Sequence, residues 1–181
     1  MFRMINYTNV CDIACKFCSF KQSPRAQGAY VLLLEEIEAK VAQGVALGAH
    51  QVFFQGGVNP QIPLDYYIDA LLLIKSRFGV HIRGFSPVEL QRMAVDHGES
   101  LPNLLKRLKE AGLDSVPGAG AEILSDRVRR AISPQKLSVE KWLEVLRHCH
   151  DQGLFGSANI VFGSIENAIE IVDHLQAIRA L

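Results

Sequence analysis

Residues 11–18 read CDIACKFC, in which Cys11, Cys15 and Cys18 follow the spacing C-x₃-C-x₂-C and Phe17 precedes the last cysteine. Iron–sulfur clusters are built on cysteine thiolates that lie this close together. Three thiolates can hold three irons of a cubic cluster, and the fourth iron then stays open to a small molecule. The alternatives are a zinc knuckle or a disulfide pair. A structural zinc site needs four ligands, and neither a fourth cysteine nor a histidine lies near this loop. The spacing therefore favours an iron–sulfur cluster.

This spacing, with Phe17 in place, resembles the signature of the radical S-adenosylmethionine (SAM) superfamily. The resemblance implies two cofactors: a [4Fe-4S] cluster on Cys11, Cys15 and Cys18, and SAM, which chelates the open iron through its amino and carboxylate groups. One electron then cleaves SAM and gives a 5′-deoxyadenosyl radical. The electron would come from a donor such as flavodoxin or ferredoxin. The part left to the protein is to orient these groups and to keep out water and oxygen.

Composition narrows the class of protein. The chain has 181 residues, 49% of them hydrophobic, which suits one domain with a sizeable core. Nineteen basic and nineteen acidic residues leave no net charge to attract nucleic acid or a membrane surface. Three of only four cysteines share one motif, which favours a reducing cytosol over a secreted disulfide framework. No run approaches the roughly 18 apolar residues of a spanning helix, and no signal-peptide core is present. We therefore expect a cytoplasmic protein with no nucleic-acid or membrane partner.

Hydrophobic periodicity predicts that strands and helices alternate along the chain. Short apolar runs predict five strands, over residues 2–7, 51–54, 80–85, 114–116 and 158–162. Apolar residues at helical spacing predict helices from residue 34 to a stop at Gly48, then over residues 64–78, 88–111 (in two pieces), 121–131, 138–152 and 165–181. Ser138 is predicted to be the N-cap of its helix.

Strands separated by helix-sized gaps indicate βαβ units and a parallel sheet. We predict an α/β fold, a partial (β/α) TIM-type barrel of about five βα units. It forms one domain over residues 1–181 that is incomplete at both ends. In such barrels the site lies at the carboxyl ends of the strands. A doubly wound open sheet is the alternative, although no G-x-G-x-x-G follows the first strand. Unpaired edges at the first and fifth strands would allow self-association.

Residues that follow the other predicted strands are candidates for contact with SAM. Gly56 and Gly57 come after the second strand, and glycine lets a ligand approach the backbone closely. The resemblance implies that this pair contacts the amino group of SAM. Gln55, Ser86 and Glu122 also lie at carboxyl ends of predicted strands. The alternatives are an ordinary strand-end turn for the glycines and, for Glu122, a carboxylate favoured in the first turn of a helix by the helix dipole.

Phe17, Val161 and Gly163 are candidates for contact with the adenine of SAM. Residues 159–166 follow the pattern N-x-V-x-G-x-x-E, which is similar to the G-x-I-x-G-x-x-E of the family but departs from it at the first position. The alternatives are core packing for Phe17 and a buried strand with a turn glycine for the other two. Cys149 lies between two histidines on a predicted helix, where adjacent side chains point in different directions. It is therefore not predicted to bind a metal.

Four further segments sharpen the resemblance: residues 55–60, 85–89, 117–124 and 126–134 read QGGVNP, FSPVE, PGAGAEIL and DRVRRAISP. Together they resemble the radical SAM subgroup that contains cyclic dehypoxanthine futalosine synthase, aminofutalosine synthase and the FO synthase subunits, and are most similar to the first. Ala119 and Ser164 depart from that pattern, and Val58 stands where radical SAM enzymes carry a glutamate after the paired glycine.

The resemblance to this subgroup implies a small-molecule substrate. The substrate would be dehypoxanthine futalosine or a related compound of the futalosine route to menaquinone. Hydrogen abstraction from its ribose would lead to ring closure onto the benzoate ring. The resemblance to the other two members leaves their reactions as alternatives, and a non-catalytic iron–sulfur protein is a third. No proton-transfer residue is singled out by the sequence.

Overall fold

The computed structural model describes residues 1–181, and its sheet has three parallel strands in the order β1-β2-β3. Strand β1 spans Phe2–Asn6, β2 spans Gln51–Gln55 and β3 spans His81–Gly84. The register pairs Met4 with Phe53 and Phe53 with Arg83, so these three side chains share one face of the sheet. The first three predicted strands are confirmed to within one residue at each end.

Seven helices accompany the sheet. Their bounds are α1 Leu34–Ala46, α2 Leu64–Phe78, α3 Pro87–Asp96, α4 Leu101–Glu110, α5 Asp126–Ile132, α6 Val139–Asp151 and α7 Ala168–Arg179. Ser138 caps α6 as predicted, because its Oγ accepts a hydrogen bond from the backbone N–H of Lys141. None of the helices has the length and apolar character needed to cross a membrane.

The core lies between the helices and one face of the sheet. Ile5, Phe54 and Ile82 are each at most 1% exposed on that face, and they belong to one cluster with Leu71 of α2 and Leu105 of α4. Burial of a side chain of this size contributes about 1.5–3 kcal/mol. The strands therefore read as buried apolar runs that the sequence pattern can detect.

The fourth and fifth predicted strands do not form. Residues 114–116 make only single parallel bridges, from Ser115 to Arg83 and from Val116 to Gly156, and residues 158–162 join no sheet. A strand is stabilised by neighbours on its faces and edges, but Phe162 is 69% exposed. The prediction of regular strands over residues 114–116 and 158–162 was therefore wrong.

Two predicted helices begin later than expected. The helix predicted over residues 121–131 begins only at Asp126, with Ser125 as its N-cap. Glu122 has a φ of 46°, in the left-handed region, which a right-handed helix excludes. The last predicted helix likewise starts at Ala168 rather than at 165, where the side chain of Asn167 accepts from the backbone N–H of Glu170.

A buried histidine ties α7 to the loop before α5. The backbone N–H of Leu124 donates to Nδ1 of His174 over 3.1 Å, and His174 is only 2% exposed. Burial lowers the pKa of His174 below its usual value of about 6.5, and the nearby Arg129 guanidinium lowers it further.

Because the folded-state pKa of His174 is depressed, its contribution to stability is present above about pH 6.5 and is lost as the pH falls through the folded value. We expect the free energy of unfolding in urea to decrease between pH 7.5 and pH 5.5. His174→Asn keeps an acceptor for Leu124 but cannot titrate, so it should flatten this pH dependence. The control is His148→Asn on the surface of α6. An unchanged slope in His174→Asn would contradict the assignment.

Candidate cluster and SAM site

The cysteine loop follows β1 and lies over the carboxyl ends of β2 and β3, where it forms one wall of an open cleft. The other walls come from the loops that follow the second and third strands. Eight of the sequence-predicted site residues line this one cleft: Cys11, Cys15, Phe17, Cys18, Gln55, Gly56, Gly57 and Ser86. The structure therefore brings the candidate cluster ligands and most candidate SAM contacts together.

Backbone hydrogen bonds fix the start of the cysteine loop against the loop after β2. The N–H of Asp12 donates to the carbonyl of Val58 over 2.9 Å, and the N–H of Val58 donates to Sγ of Cys11 over 3.3 Å. The carboxylate of Asp12 also pairs with Arg92 of α3 at 2.7 Å. A backbone amide that donates to a ligand sulfur is one of the interactions by which proteins tune an iron–sulfur cluster.

The glycine pair is needed for close packing of the protein itself. A Cβ on Gly57 would lie 2.1 Å from the carbonyl oxygen of Val10, and a Cβ on Gly56 would lie 2.7 Å from the ring of Tyr7. Any side chain at either position would push the cysteine loop or Tyr7 away. The pair thus sets the distance between the cysteine loop and β2 and keeps the cleft wall free of side chains at this point.

A second loop holds the middle of the cysteine loop. The N–H of Lys16 donates to the carbonyl of Ile132 over 2.8 Å, and the N–H of Ala14 donates to Oε1 of Gln135 over 2.6 Å. Nζ of Lys136 lies 5.3 Å from the centroid of the Phe17 ring, within the range of a cation–π interaction. We call residues 132–136 the clasp loop.

The clasp loop also brings positive charge to the candidate cluster ligands. Lys136 lines the cleft and forms an ion pair with Glu122, and the two side chains are 13% and 5% exposed. Burial raises the pKa of the Cys15 thiol, whereas the charge of Lys136 acts to lower it. A cation beside a cysteine favours the thiolate, which is the form that binds iron.

Glu122, Val161 and Gly163 do not line the cleft. Glu122 is 3% exposed and lies behind Lys136, with its Oε2 buried and without a hydrogen-bond partner. The interpretation of Glu122 as a helix first-turn carboxylate is wrong, since α5 begins four residues later. Val161 donates its N–H to the carbonyl of Glu122 while its side chain is 44% exposed, and Gly163 lies in a turn with a φ of 97°.

Two residues of the cleft were not among the predicted site residues. Lys136 lies 118 residues beyond the last cysteine of the motif, so no local spacing points to it. Glu89 lies beneath the cleft and its carboxylate accepts hydrogen bonds from Tyr7, Gly56 and Ser86. Two signals in the sequence include it: the S-x-x-E capping box that starts α3 at Ser86, and the segment FSPVE.

The state of the cysteines bears on one of the alternatives. All four cysteines are free, so no disulfide is formed. Cys11, Cys15 and Cys18 line one cleft, and three thiolates can hold three irons of a cluster. Cys149 is buried on α6, where burial raises the pKa of its thiol to about 12.

A family model of the radical SAM superfamily matches residues 5–178, so the chain belongs to the radical SAM superfamily. Enzymes of this superfamily use a [4Fe-4S] cluster and SAM, which confirms the cofactors predicted from the cysteine motif.

Relatives of this chain include enzymes with different activities. The chain is 39% identical over 178 residues to cyclic dehypoxanthine futalosine synthase of Halalkalibacterium halodurans, covering 98% of this chain and 48% of that protein. It is 37% identical over 180 residues to 5-amino-6-(D-ribitylamino)uracil–L-tyrosine 4-hydroxyphenyl transferase of Methanopyrus kandleri, covering 99% and 49%. It is 38% identical to FO synthase of Nocardia farcinica, covering 99% and 21%. The chain thus spans about half the length of the first two relatives.

Solved structures share the fold. Methylornithine synthase PylB has a TM-score of 0.79 at 16% identity, covering 99% of this chain and 50% of that one, and HydG, a maturase of the [FeFe]-hydrogenase, has a TM-score of 0.76 at 17% identity, covering 99% and 39%. This likeness confirms the predicted α/β fold class, a partial TIM-type barrel.

We predict that Cys11, Cys15 and Cys18 are each required for the cluster, because three ligands leave no redundancy. Cys11→Ala, Cys15→Ala and Cys18→Ala should each lose most iron and sulfide after anaerobic reconstitution. Cys149→Ala is the matched control: it removes a buried core thiol and should lower stability while the cluster stays complete. A full cluster in Cys15→Ala, or an empty one in Cys149→Ala, would refute the ligand set.

We further predict that the Lys136–Glu122 pair positions the cysteine loop. Lys136→Met leaves the Glu122 carboxylate buried without its cation, and removal of one partner of a buried pair costs about 3–5 kcal/mol. The free energy of unfolding should fall by that amount, and iron content should fall with it. The double variant Lys136→Met/Glu122→Gln removes both charges and should recover most of the stability. An unchanged urea midpoint in the single variant would show that the pair does not stabilise the fold.

Proposed function

We propose that the chain is the catalytic part of a radical SAM enzyme that binds its cluster on Cys11, Cys15 and Cys18 and SAM against Gly56, Gly57 and Ser86. The observation that carries the proposal is the single cleft that these residues share. When bound, the cluster and SAM supply a one-electron cleavage that gives a 5′-deoxyadenosyl radical, chemistry that amino-acid side chains cannot provide. The electron would come from a reduced flavodoxin or ferredoxin.

The side chains of the cleft would then orient SAM. The Gly56 N–H and the Ser86 hydroxyl both donate to Glu89, so this end of the cleft is preorganised rather than free to adapt. Lys136 would attract the negative charge that three thiolates and a carboxylate ligand bring to the cleft. Phe17, which is 48% exposed, offers its ring to an adenine.

Glu122, Val161 and Gly163 have more distant roles in this proposal. Glu122 holds Lys136 at the cleft wall through their ion pair, and its Oε2 is a free acceptor behind Lys136. Val161 donates its backbone N–H to the carbonyl of Glu122, which places the segment that carries Val161 and Gly163 beside Glu122.

For the reaction itself we propose the cyclisation of dehypoxanthine futalosine. The segments FSPVE and DRVRRAISP and the identity of 39% to a cyclic dehypoxanthine futalosine synthase support it. The second candidate is the transfer of a 4-hydroxyphenyl group from L-tyrosine to 5-amino-6-(D-ribitylamino)uracil. It is favoured by several relatives with that activity, at 37–40% identity.

Anaerobic turnover of the reconstituted chain tests both steps. Incubation with SAM and dithionite should release 5′-deoxyadenosine, and Cys15→Ala should release none. With dehypoxanthine futalosine, mass spectrometry should detect the cyclic product, whereas L-tyrosine with the ribitylaminouracil should yield no adduct. An adduct with tyrosine would select the second candidate. A complete cluster that never cleaves SAM would instead indicate a non-catalytic iron–sulfur protein.

A further inference from the structure

Residues 117–121, which read PGAGA, form a turn that we call the wall turn, and its Ala119 and Gly120 line the cluster cleft. The wall turn belongs to no helix or strand, and none of its residues makes a backbone–backbone hydrogen bond. Gly120 has a φ of 84°, in the left-handed region that favours glycine. Regular structure therefore does not fix this part of the cleft, and other groups must hold it.

Two buried side chains hold the wall turn through its carbonyl groups. Nη1 of Arg129, on α5, donates to the carbonyl of Gly120 over 2.9 Å and to that of Ala121 over 2.5 Å. Nε1 of Trp142, on α6, donates to the carbonyl of Ala119 over 3.3 Å. Three successive carbonyls of the turn thus accept hydrogen bonds from the side chains of two helices.

Arg129 also holds the chain at the end of the clasp loop. Its Nε donates to the carbonyl of Leu137 over 2.7 Å, and Leu137 directly follows Lys136, which lines the cleft. One planar guanidinium therefore joins the wall turn to the clasp loop and fixes the separation between them. A lysine could not join both in this way, because its ammonium is a single point of charge on a flexible stem.

This arrangement of Arg129 is unfavourable for the stability of the fold. Arg129 is 2% exposed, and none of its hydrogen bonds goes to a carboxylate. Its Nη2 is buried and has no partner. Burial lowers the pKa of Arg129, and the charges of Glu122 and Asp126 oppose that effect. A buried charge without a hydrogen-bonded counter-charge is destabilising, and such departures from good packing are expected at functional sites.

From these contacts we infer that Arg129 is a positioning residue for SAM binding, which sets the distance between the wall turn and the clasp loop. Trp142 supports the wall turn from α6. The part of Arg129 in SAM binding rests on the proposed function. Its part in holding the two loops together rests on the hydrogen bonds alone.

The fluorescence of Trp142, the only tryptophan of the chain, reports on the wall turn directly. Acrylamide should quench it weakly in the wild-type chain, because Trp142 is fully buried. In Arg129→Gln, which cannot bond to both loops, the quenching constant should rise roughly twofold, since the wall turn then opens locally more often. The control is Arg130→Gln, at an exposed position of the same helix, which should leave quenching unchanged.

Unchanged quenching in a folded Arg129→Gln would overturn the assignment. Arg129→Lys keeps the charge and can reach one loop at a time, so its quenching constant should lie between those of wild type and Arg129→Gln. It provides the same comparison with wild type if Arg129→Gln does not fold.

Titration calorimetry with SAM, on the anaerobically reconstituted chain without a reductant, tests the effect on the cleft. Arg129→Gln should keep the iron content of the wild type but bind SAM roughly tenfold more weakly, the factor for one lost hydrogen bond to a charged group. Arg129→Lys should recover part of the affinity, and Arg130→Gln should retain all of it. Trp142→Phe, which keeps ring packing but loses the Nε1 donor, should weaken binding roughly threefold.

Full affinity for SAM in a folded Arg129→Gln would show that Arg129 serves stability alone. The wild-type chain separates this inference from the proposed function. If the wild-type chain with a complete cluster binds no SAM, the proposed function fails and the role of Arg129 in SAM binding fails with it. An increase in the quenching of Trp142 in Arg129→Gln would then still establish that Arg129 holds the wall turn.

Discussion

The carboxylate of Glu89 joins the carboxyl ends of all three strands. The Tyr7 hydroxyl, just after β1, donates to Oε1 over 2.6 Å, and the N–H of Gly56, just after β2, donates to the same oxygen over 3.1 Å. The N–H and hydroxyl of Ser86, after β3, donate to Oε2 over 2.7 and 2.6 Å. Burial raises the pKa of Glu89, and these donors oppose that effect. Without them a carboxylate that is 5% exposed would cost several kcal/mol.

The hydrogen bonds to Glu89 connect the cleft to the hydrophobic core. Tyr7 packs against Phe54 with centroids 4.9 Å apart and against the edge of Phe85, both of which are fully buried. The cysteine loop begins four residues after Tyr7, so its entry point is set by the same packing that stabilises the sheet. Sites supported by strands in this way are held more precisely than sites on loops alone.

Local signals account for most of what the sequence could predict. The helix from Leu64 to Phe78 was predicted at the bounds that the structure shows, because Pro60 and Pro63 precede a run of apolar residues. The cysteines and the glycine pair could be found because each is a short motif. The apolar run at residues 158–162 led to a wrong prediction of a strand, because composition does not show whether neighbouring strands cover it. The placement of Lys136 and the contacts of the clasp loop result from tertiary packing, and no spacing along the chain encodes them.

Negative and positive side chains occupy different parts of the cleft. The Glu89 carboxylate lies beneath it and is occupied by four donors, while Lys21 and Lys136 stand on its walls among the three cysteines. Thiolate ligands would bring negative charge to the cleft, and the two lysines would offset it. The Glu89 carboxylate would repel the thiolates little, because it lies deeper and already accepts hydrogen bonds. Positive charge on the cleft wall therefore favours the thiolate form of the cysteines, which is the form that binds iron.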